Sequence, residues 1–174
     1  MTAPEFSRTY RIDTLGEGAR DVTIEADEAE RAKLAGRFGL ISVDRLVAKA
    51  SLSVKNGSIT AEGTIDAAVV QACVASGEPI PAKVHEPFVL KFVASAGTGT
   101  ADEEIELSEA DCDIVEYDGA AIDLGEAVAE TMVLALDPFP RSPDADDVLK
   151  AAGVLGEGEA GPFAALKALK DKLG

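Results

Sequence analysis

The sequence predicts an α+β fold with two packed helices, a short C-terminal helix and an antiparallel sheet of about six or seven strands, which can curl into a partly open barrel. Two observations support this prediction. Long runs with alternating apolar residues flank Asn56-Gly57, the residue pair that most readily forms a tight hairpin turn. Two other segments combine a capping signal with helical spacing of apolar residues.

The N-terminal elements are two short strands and a helix. Residues 7–13 and 21–26 alternate as strands do, and we expect them to pair as a hairpin across the turn at 15–18. Asp27 followed by Glu30 matches a capping box. The helix that follows is expected to end at Gly39.

The central hairpin consists of strands over 46–55 and 58–74. Period-two spacing in the second strand places Cys73 on the same face as the apolar residues, toward the core. A further strand is expected over 81–94, where Pro87 indicates an edge position or a bulge. Shorter acidic strands are expected over 103–107 and 113–117.

A second helix is predicted to begin at Leu124. Asp123 can cap it, Glu126 can reach back to complete the capping box, and Pro138 marks its end. Met132 lies in its apolar stripe and is interpreted as core packing. The stripe comprises Leu124, Ala127, Val128, Thr131, Met132 and Ala135, and is widened by Val133, Leu134 and Leu136.

The predicted domain organisation is one α+β domain over 1–147, a flexible glycine-rich linker over 148–161 and an amphipathic helix over 162–174. That helix is too short to be stable alone. Its apolar residues, among them Phe163, Leu166 and Leu169, can dock on the protein's own domain or on a partner, or the segment can be disordered.

The net charge of −16 is concentrated in one region. Residues 101–147 contain sixteen acidic side chains and one basic side chain, Arg141, whereas residues 1–60 contain nine of each. Such a region is poorly suited to contact nucleic acid directly. It is either solvated surface or a docking face for a basic protein. The candidate docking carboxylates are Asp102, Glu103, Glu104 and Glu106.

A competing hypothesis is direct RNA binding by the charge-balanced N-terminal half. Six cations fall within 25 residues, interleaved with acidic side chains, so a basic face depends on their placement in three dimensions. The six are Arg31, Lys33, Arg37, Arg45, Lys49 and Lys55.

The sequence contains no serine or cysteine triad motif and no Walker or dinucleotide-binding glycine pattern, so no enzyme activity, cofactor, metal or small-molecule substrate is expected. His85 is the one histidine, and a zinc set of His85, Cys73 and Cys112 lacks a fourth ligand and paired spacings. A magnesium-dependent nuclease built on Glu104 and Glu106 is a third hypothesis, but no basic residue lies nearby to complete it. The absence of a long apolar run and of a secretory pattern, with two cysteines, predicts a cytoplasmic protein without membrane association.

Several segments together resemble the YceD family, a group of bacterial and plastid proteins associated with accumulation of large-subunit ribosomal RNA. The spacing of the segments is similar to the alphaproteobacterial branch. They are Gln71-Ala-Cys-Val74 followed by Glu78-Pro79, Ile122-Asp-Leu-Gly-Glu-Ala-Val-Ala-Glu130, Leu134-Ala-Leu-Asp-Pro-Phe-Pro-Arg141 and Pro162-Phe-Ala-Ala-Leu-Lys167.

The resemblance implies a non-enzymatic role in making or processing large-subunit (23S) ribosomal RNA. Combined with the acidic region, it suggests binding of a basic ribosomal protein or assembly factor, with RNA contacted indirectly or directly. Some relatives carry a second cysteine where this chain has Ser76, so a metal site drawn from them does not transfer. Asp123 and Glu126 can be simple caps, Pro138 a helix stop, and Arg141 an internal pair. The family-motif positions, with unassigned roles, are Cys73, Asp123, Leu124, Gly125, Glu126, Pro138 and Arg141.

Overall fold

A computed structural model describes residues 4–16, 18–55, 58–95 and 113–154. The chain divides into two compact units. Of the described residues, the larger unit contains 4–71 and 81–138, and the smaller contains 72–80 and 139–154. The strands are β1 (Thr9–Arg11), β2 (Arg20–Glu25), β3 (Ser42–Lys55), β4 (Ser58–Ala72), β5 (Pro79–Ala94), β6 (Asp113–Tyr117) and β7 (Ala121–Asp123), and the helices are α1 (Glu28–Phe38), α2 (Leu124–Leu134) and α3 (Ala145–Ala151).

Five strands form the main sheet in the order β2-β3-β4-β5-β6. The predicted hairpin of β3 and β4 is confirmed, because the two strands pair antiparallel from Lys55↔Ser58 onward. The Asn56-Gly57 turn itself lies outside the described residues. β2 also pairs antiparallel with β3.

The α+β class is confirmed, but the sheet is not wholly antiparallel. β6 runs parallel to β5, with Leu90 opposite Asp113, which requires a crossover connection and cannot come from a tight turn. Within the described part of the chain the strands do not close into a barrel. The strand expected over 103–107 lies outside the described residues.

Pro87 lies in β5, which has a neighbouring strand on each side and is not the edge of the sheet. The described part of β6 pairs only with Leu90–Ala94 of β5. Pro87 lies before that paired segment. The N–H that proline lacks is therefore not needed for the hydrogen bonds between β5 and the described part of β6.

The expected hairpin between the first two strands is wrong. β1 pairs instead with β7, Thr9 opposite Asp123, as a separate two-stranded sheet. The pairing is extended by the Ile12 N–H donating to the Ala120 carbonyl at 2.9 Å and the Leu124 N–H donating to the Arg8 carbonyl at 3.0 Å. A short 3-10 turn over Ile12–Thr14 directs the chain away from β1 before β2 begins.

The core of the larger unit is one cluster of buried side chains contributed by the main sheet, α1, α2 and the N-terminal segment. On β4 the predicted face is buried, including Ile59, Ile65 and Val69 at 1% exposure or less. Met132 of α2 is fully buried, as predicted, and so are Leu124 and Val128. Burial of such side chains contributes roughly 1.5–3 kcal/mol each, so packing within this cluster holds α2 in place.

The two long helices begin where the sequence predicts and differ in how they end. α1 has a complete Asp27/Glu30 capping box and ends at Gly39, whose φ of 65° is left-handed. α2 ends at Leu134, four residues before Pro138, because the last turn tightens, with the Leu136 N–H donating to the Val133 carbonyl at 3.2 Å. Pro138 has no N–H to bond to the Leu134 carbonyl four residues earlier, so its position is compatible with the predicted helix stop.

The smaller unit contains α3, which covers residues 148–151 at the start of the predicted flexible linker. Acidic Asp146 and Asp147 lie in its first turn, Lys150 in its last, and Ala145 is buried, all of which favour a helix. The remaining linker and the predicted helix over 162–174 lie outside the described residues. None of the helices in the described chain has the length and apolar character that a bilayer span needs.

Candidate functional site

The motif at the start of α2 holds the N-terminal segment of the chain. The Asp123 carboxylate accepts hydrogen bonds from the Ser7 hydroxyl at 2.5 Å, the Arg8 N–H at 2.8 Å and the Glu126 N–H at 3.2 Å. Asp123 is therefore a helix cap, as predicted, and also joins β7 to the segment before β1.

Gly125 is needed because the backbone of that segment passes directly against α2. A Cβ at position 125 would lie 2.3 Å from the Phe6 carbonyl oxygen and 2.9 Å from the Arg8 nitrogen. Leu124 beside it is fully buried. These two motif residues therefore have packing roles in the described structure.

Glu126 does not complete a capping box. Its carboxylate binds the Arg37 guanidinium with two contacts, at 2.9 and 2.7 Å. Arg37 also contacts Glu5 at 2.9 Å and Glu130 at 3.4 Å. The hydrogen bond to Glu126 is the main cause of the raised pKa of Arg37, and this cluster joins α1, α2 and the N-terminal segment.

Two of the six cations proposed for RNA binding have partners within the larger unit, whereas Lys33 is exposed. Arg37 forms the cluster just described, and Arg31 donates to the Ala26 carbonyl at 2.7 Å. Arg45 and Lys49 are exposed on β3. The pKa of Asp66 is lowered mainly by a hydrogen bond from His85. The charges of Arg45 and Lys49 lower it further. The side chain of Lys55 lies outside the described residues.

His85 pairs with Asp66 at 2.6 Å on an exposed part of the larger unit. In the described part of the chain, no group of three or more His, Cys, Asp or Glu side chains is arranged to hold a metal ion. Cys112 lies outside the described residues.

Cys73 lies in the smaller unit, where its thiol is buried. Its sulfur accepts a hydrogen bond from the Ser142 N–H at 3.3 Å. The buried Ser142 hydroxyl has no well-aligned partner among the described residues, and a hydroxyl can rotate toward the sulfur. Hydrogen bonding from the Ser142 hydroxyl, then Ser76, lowers the pKa of Cys73 to about 6.

Arg141, also in the smaller unit, pairs with Asp146 at 2.5 Å, and both side chains are exposed. The sequence allowed Arg141 to form an ion pair within the protein, and this is that pair. The other candidate docking residues lie outside the described chain: Asp102, Glu103, Glu104, Glu106, Phe163, Leu166 and Leu169.

Two grooves of the larger unit lie beside α2. The apolar groove has a volume of about 530 Å³ and is lined by Phe38, Leu40, Gln71, Val133, Leu134, Leu136, Asp137 and Pro138. The acidic groove has a volume of about 260 Å³ and is lined by Phe92, Val115, Glu116, Tyr117, Asp118, Ala121, Asp123, Glu126, Ala127 and Glu130. Five carboxylates line the acidic groove, and Pro138 lines the apolar one.

The sequence analysis did not predict the apolar groove. Leu134, predicted to widen the buried stripe of α2, is 81% exposed. The available signal was the run of four apolar residues over 133–136, because one face of a helix cannot bury four consecutive side chains.

Comparison with known proteins identifies one family. The model described as "Large ribosomal RNA subunit accumulation protein YceD" matches residues 61–170, more than half of the chain. No curated protein and no solved structure matches the chain. All seven family-motif positions lie within the matched range.

Proposed function

Because this chain belongs to the YceD family, we propose that it is a non-enzymatic ribosome-biogenesis factor of the cytoplasm that supports accumulation or processing of 23S ribosomal RNA. The family name implies a role in accumulation of large-subunit ribosomal RNA. We further propose that the protein acts by binding a basic ribosomal or assembly protein through an acidic face.

One observation carries the proposal of a basic partner. Residues 113–147 contain ten acidic side chains against the single cation Arg141, and Arg141 is itself paired with Asp146. Charge of one sign attracts a partner of the other sign and accelerates the encounter. The same charge repels the phosphates of RNA.

Direct RNA binding by the N-terminal half remains the alternative. Engaging phosphates with Arg37 would require it to leave three carboxylates, whereas Arg45 and Lys49 are exposed but lie near Asp66. This arrangement favours a protein partner over RNA. The nuclease hypothesis depends on Glu104, which lies outside the described residues.

Affinity capture of the tagged protein from its own cells tests the proposal, with lysates treated with nuclease and washed at low or high salt. We expect a basic large-subunit ribosomal or assembly protein to be retained at low salt and lost at high salt. Precursor ribosomal RNA retained without any protein partner would contradict the proposal.

A charge-neutralised variant with D102N, E103Q, E104Q and E106Q tests whether the segment before β6 contributes. The matched control removes four exposed carboxylates elsewhere, with D21N, E25Q, E28Q and E62Q. Weaker capture by the first variant alone would support docking through 102–106. Equal capture by both variants and the unmodified protein would exclude it.

A further inference from the structure

The exposed side of α2 combines acidic and apolar side chains along one line. Glu126, Glu130 and Leu134 follow each other at intervals of four residues, so they lie on one face of the helix. The line is about 12 Å long, at 1.5 Å per residue. Exposure rises along this line, from 25% for the Glu126 side chain to 54% for the Glu130 side chain and 81% for Leu134, in contrast to the fully buried Val128 and Met132.

Each end of this line opens into one of the two grooves. Glu126 and Glu130 line the acidic groove, and Leu134 lines the apolar groove. The α2 flank, defined here as Glu126, Glu130 and Leu134 with the two grooves, therefore offers an apolar site beside an anionic one.

The α2 flank has more carboxylates than neighbouring basic side chains to neutralise them. Arg37 neutralises one charge among three carboxylates, Glu5, Glu126 and Glu130. Glu116 and Asp118 are exposed and add two more carboxylates to the acidic groove. An occupant that carries cations is favoured electrostatically, and an anionic occupant is repelled.

We propose that the α2 flank binds a basic amphipathic segment of a partner protein, with an apolar side chain in the apolar groove and a Lys or Arg side chain in the acidic groove. This inference rests on the proposed function and gives it a location and a recognition pattern. On a helical partner the two side chains would be four to eight residues apart, which matches the length of the flank.

The alternative occupants differ in chemistry. A second copy of this chain docked through the same surface would place carboxylates against carboxylates, because a two-fold contact repeats the same patch on both sides. RNA would bring phosphates toward Glu116, Asp118 and Glu130. Charge complementarity thus favours a basic protein segment over RNA and over a two-fold contact with a second copy. Residues 162–174 of this chain contain three lysines and one acidic residue, so they are the competing occupant that the crosslinking experiment distinguishes from a partner.

Site-specific photo-crosslinking of the full-length protein in its own cells tests the location. p-Benzoylphenylalanine is placed at position 134 and, as the control, at position 89, where Val89 is 37% exposed on β5 and lines neither groove. We expect crosslinks from position 134, and not from 89, to a Lys/Arg-rich segment of a large-subunit ribosomal or assembly protein. Crosslinks from 134 to RNA, a second copy or residues 162–174 of the same chain would overturn the inference.

Substitution with lysine separates this inference from the proposed function. In cells that lack the protein, L134K is expected to lower capture of the partner at least tenfold and to fail to restore 23S ribosomal RNA, whereas V89K restores it. Because Leu134 is exposed, the melting temperature should stay within about 2 °C of the unmodified protein. If it falls further, L134Q takes the place of L134K.

The two possible failures give different results. If cells without the protein keep normal 23S ribosomal RNA, the proposed function fails. If those cells lose 23S ribosomal RNA and a folded variant at position 134 restores it fully with normal partner capture, the α2 flank is not the site and the proposed function stands.

Discussion

The N-terminal ends of α1 and α2 have the same sequence signature and different contacts. Each has an aspartate at the cap and a glutamate three residues later. In α1 the two side chains cap reciprocally, with both hydrogen bonds at 2.8 Å. In α2 only the Asp123 half is present, and the Glu126 carboxylate binds Arg37 instead of the backbone at the cap.

Both helix ends also hold the N-terminal segment, by different means. Glu30 of α1 binds the Arg8 guanidinium with two contacts at 2.7 and 2.8 Å, whereas Asp123 of α2 binds the Ser7 hydroxyl and the Arg8 N–H. A local capping signature thus predicts where a helix begins. The partners of its side chains depend on what packs beside the helix.

The largest predicted effect comes from the close backbone contact of α2. G125A would force a Cβ to within 2.3 Å of the Phe6 carbonyl oxygen and should lower the free energy of unfolding by about 3 kcal/mol. The control G36A lies in α1, where a Cβ meets nothing within 4 Å, and should raise it by roughly 0.5–1 kcal/mol. Urea denaturation measures both, and equal effects would contradict the proposed difference.

Removing the two capping aspartates should lower the free energy of unfolding by amounts that differ about two- to threefold. D123A removes three hydrogen bonds and should cost roughly 2–3 kcal/mol. D27A removes one cap and should cost about 1 kcal/mol. Both are measured by thermal and urea unfolding. Costs of the same size would show that Asp123 acts only as a local cap.

Glu30 should contribute a pH-dependent part of the stability. Its hydrogen bonds to Arg8 lower the pKa of Glu30 in the folded protein. The contribution is therefore present above the unfolded pKa of about 4.3 and is lost as the pH falls through the lower folded pKa. We expect E30Q to cost about 1 kcal/mol at pH 7, and the difference from the unmodified protein to diminish below about pH 4.

The smallest expected effect is that of E126Q, below about 1 kcal/mol, because Arg37 keeps Glu5 and Glu130 as partners. Added salt should reduce the difference further. Unfolding of E126Q and E30Q at 0.05 and 1 M salt tests this ranking. A larger loss for E126Q would make the Arg37 cluster the stronger attachment of the N-terminal segment.

Some features of the fold and of the candidate site could be predicted from the sequence, and others could not. The alternation in β4 correctly placed Ile59, Ile65 and Val69 in the core, because a half-buried strand repeats every two residues. It could not identify β7 as the partner of β1, since short strands pair with whichever edge the fold brings near them. For the candidate site, the sequence predicted Pro138 only as a helix stop, and its place in the lining of the apolar groove came from the structure.

The sequence by itself determined the α+β class, the β3–β4 hairpin, the starts of α1 and α2, and the acidic character of residues 113–147, because these follow from local propensity, periodicity and composition. Only the tertiary structure decided that Glu126 binds Arg37, that β6 lies parallel to β5, and that Leu134 stays exposed beside a groove. Those outcomes depend on contacts between residues far apart in the chain. Chain packing creates these contacts, and local sequence does not encode them.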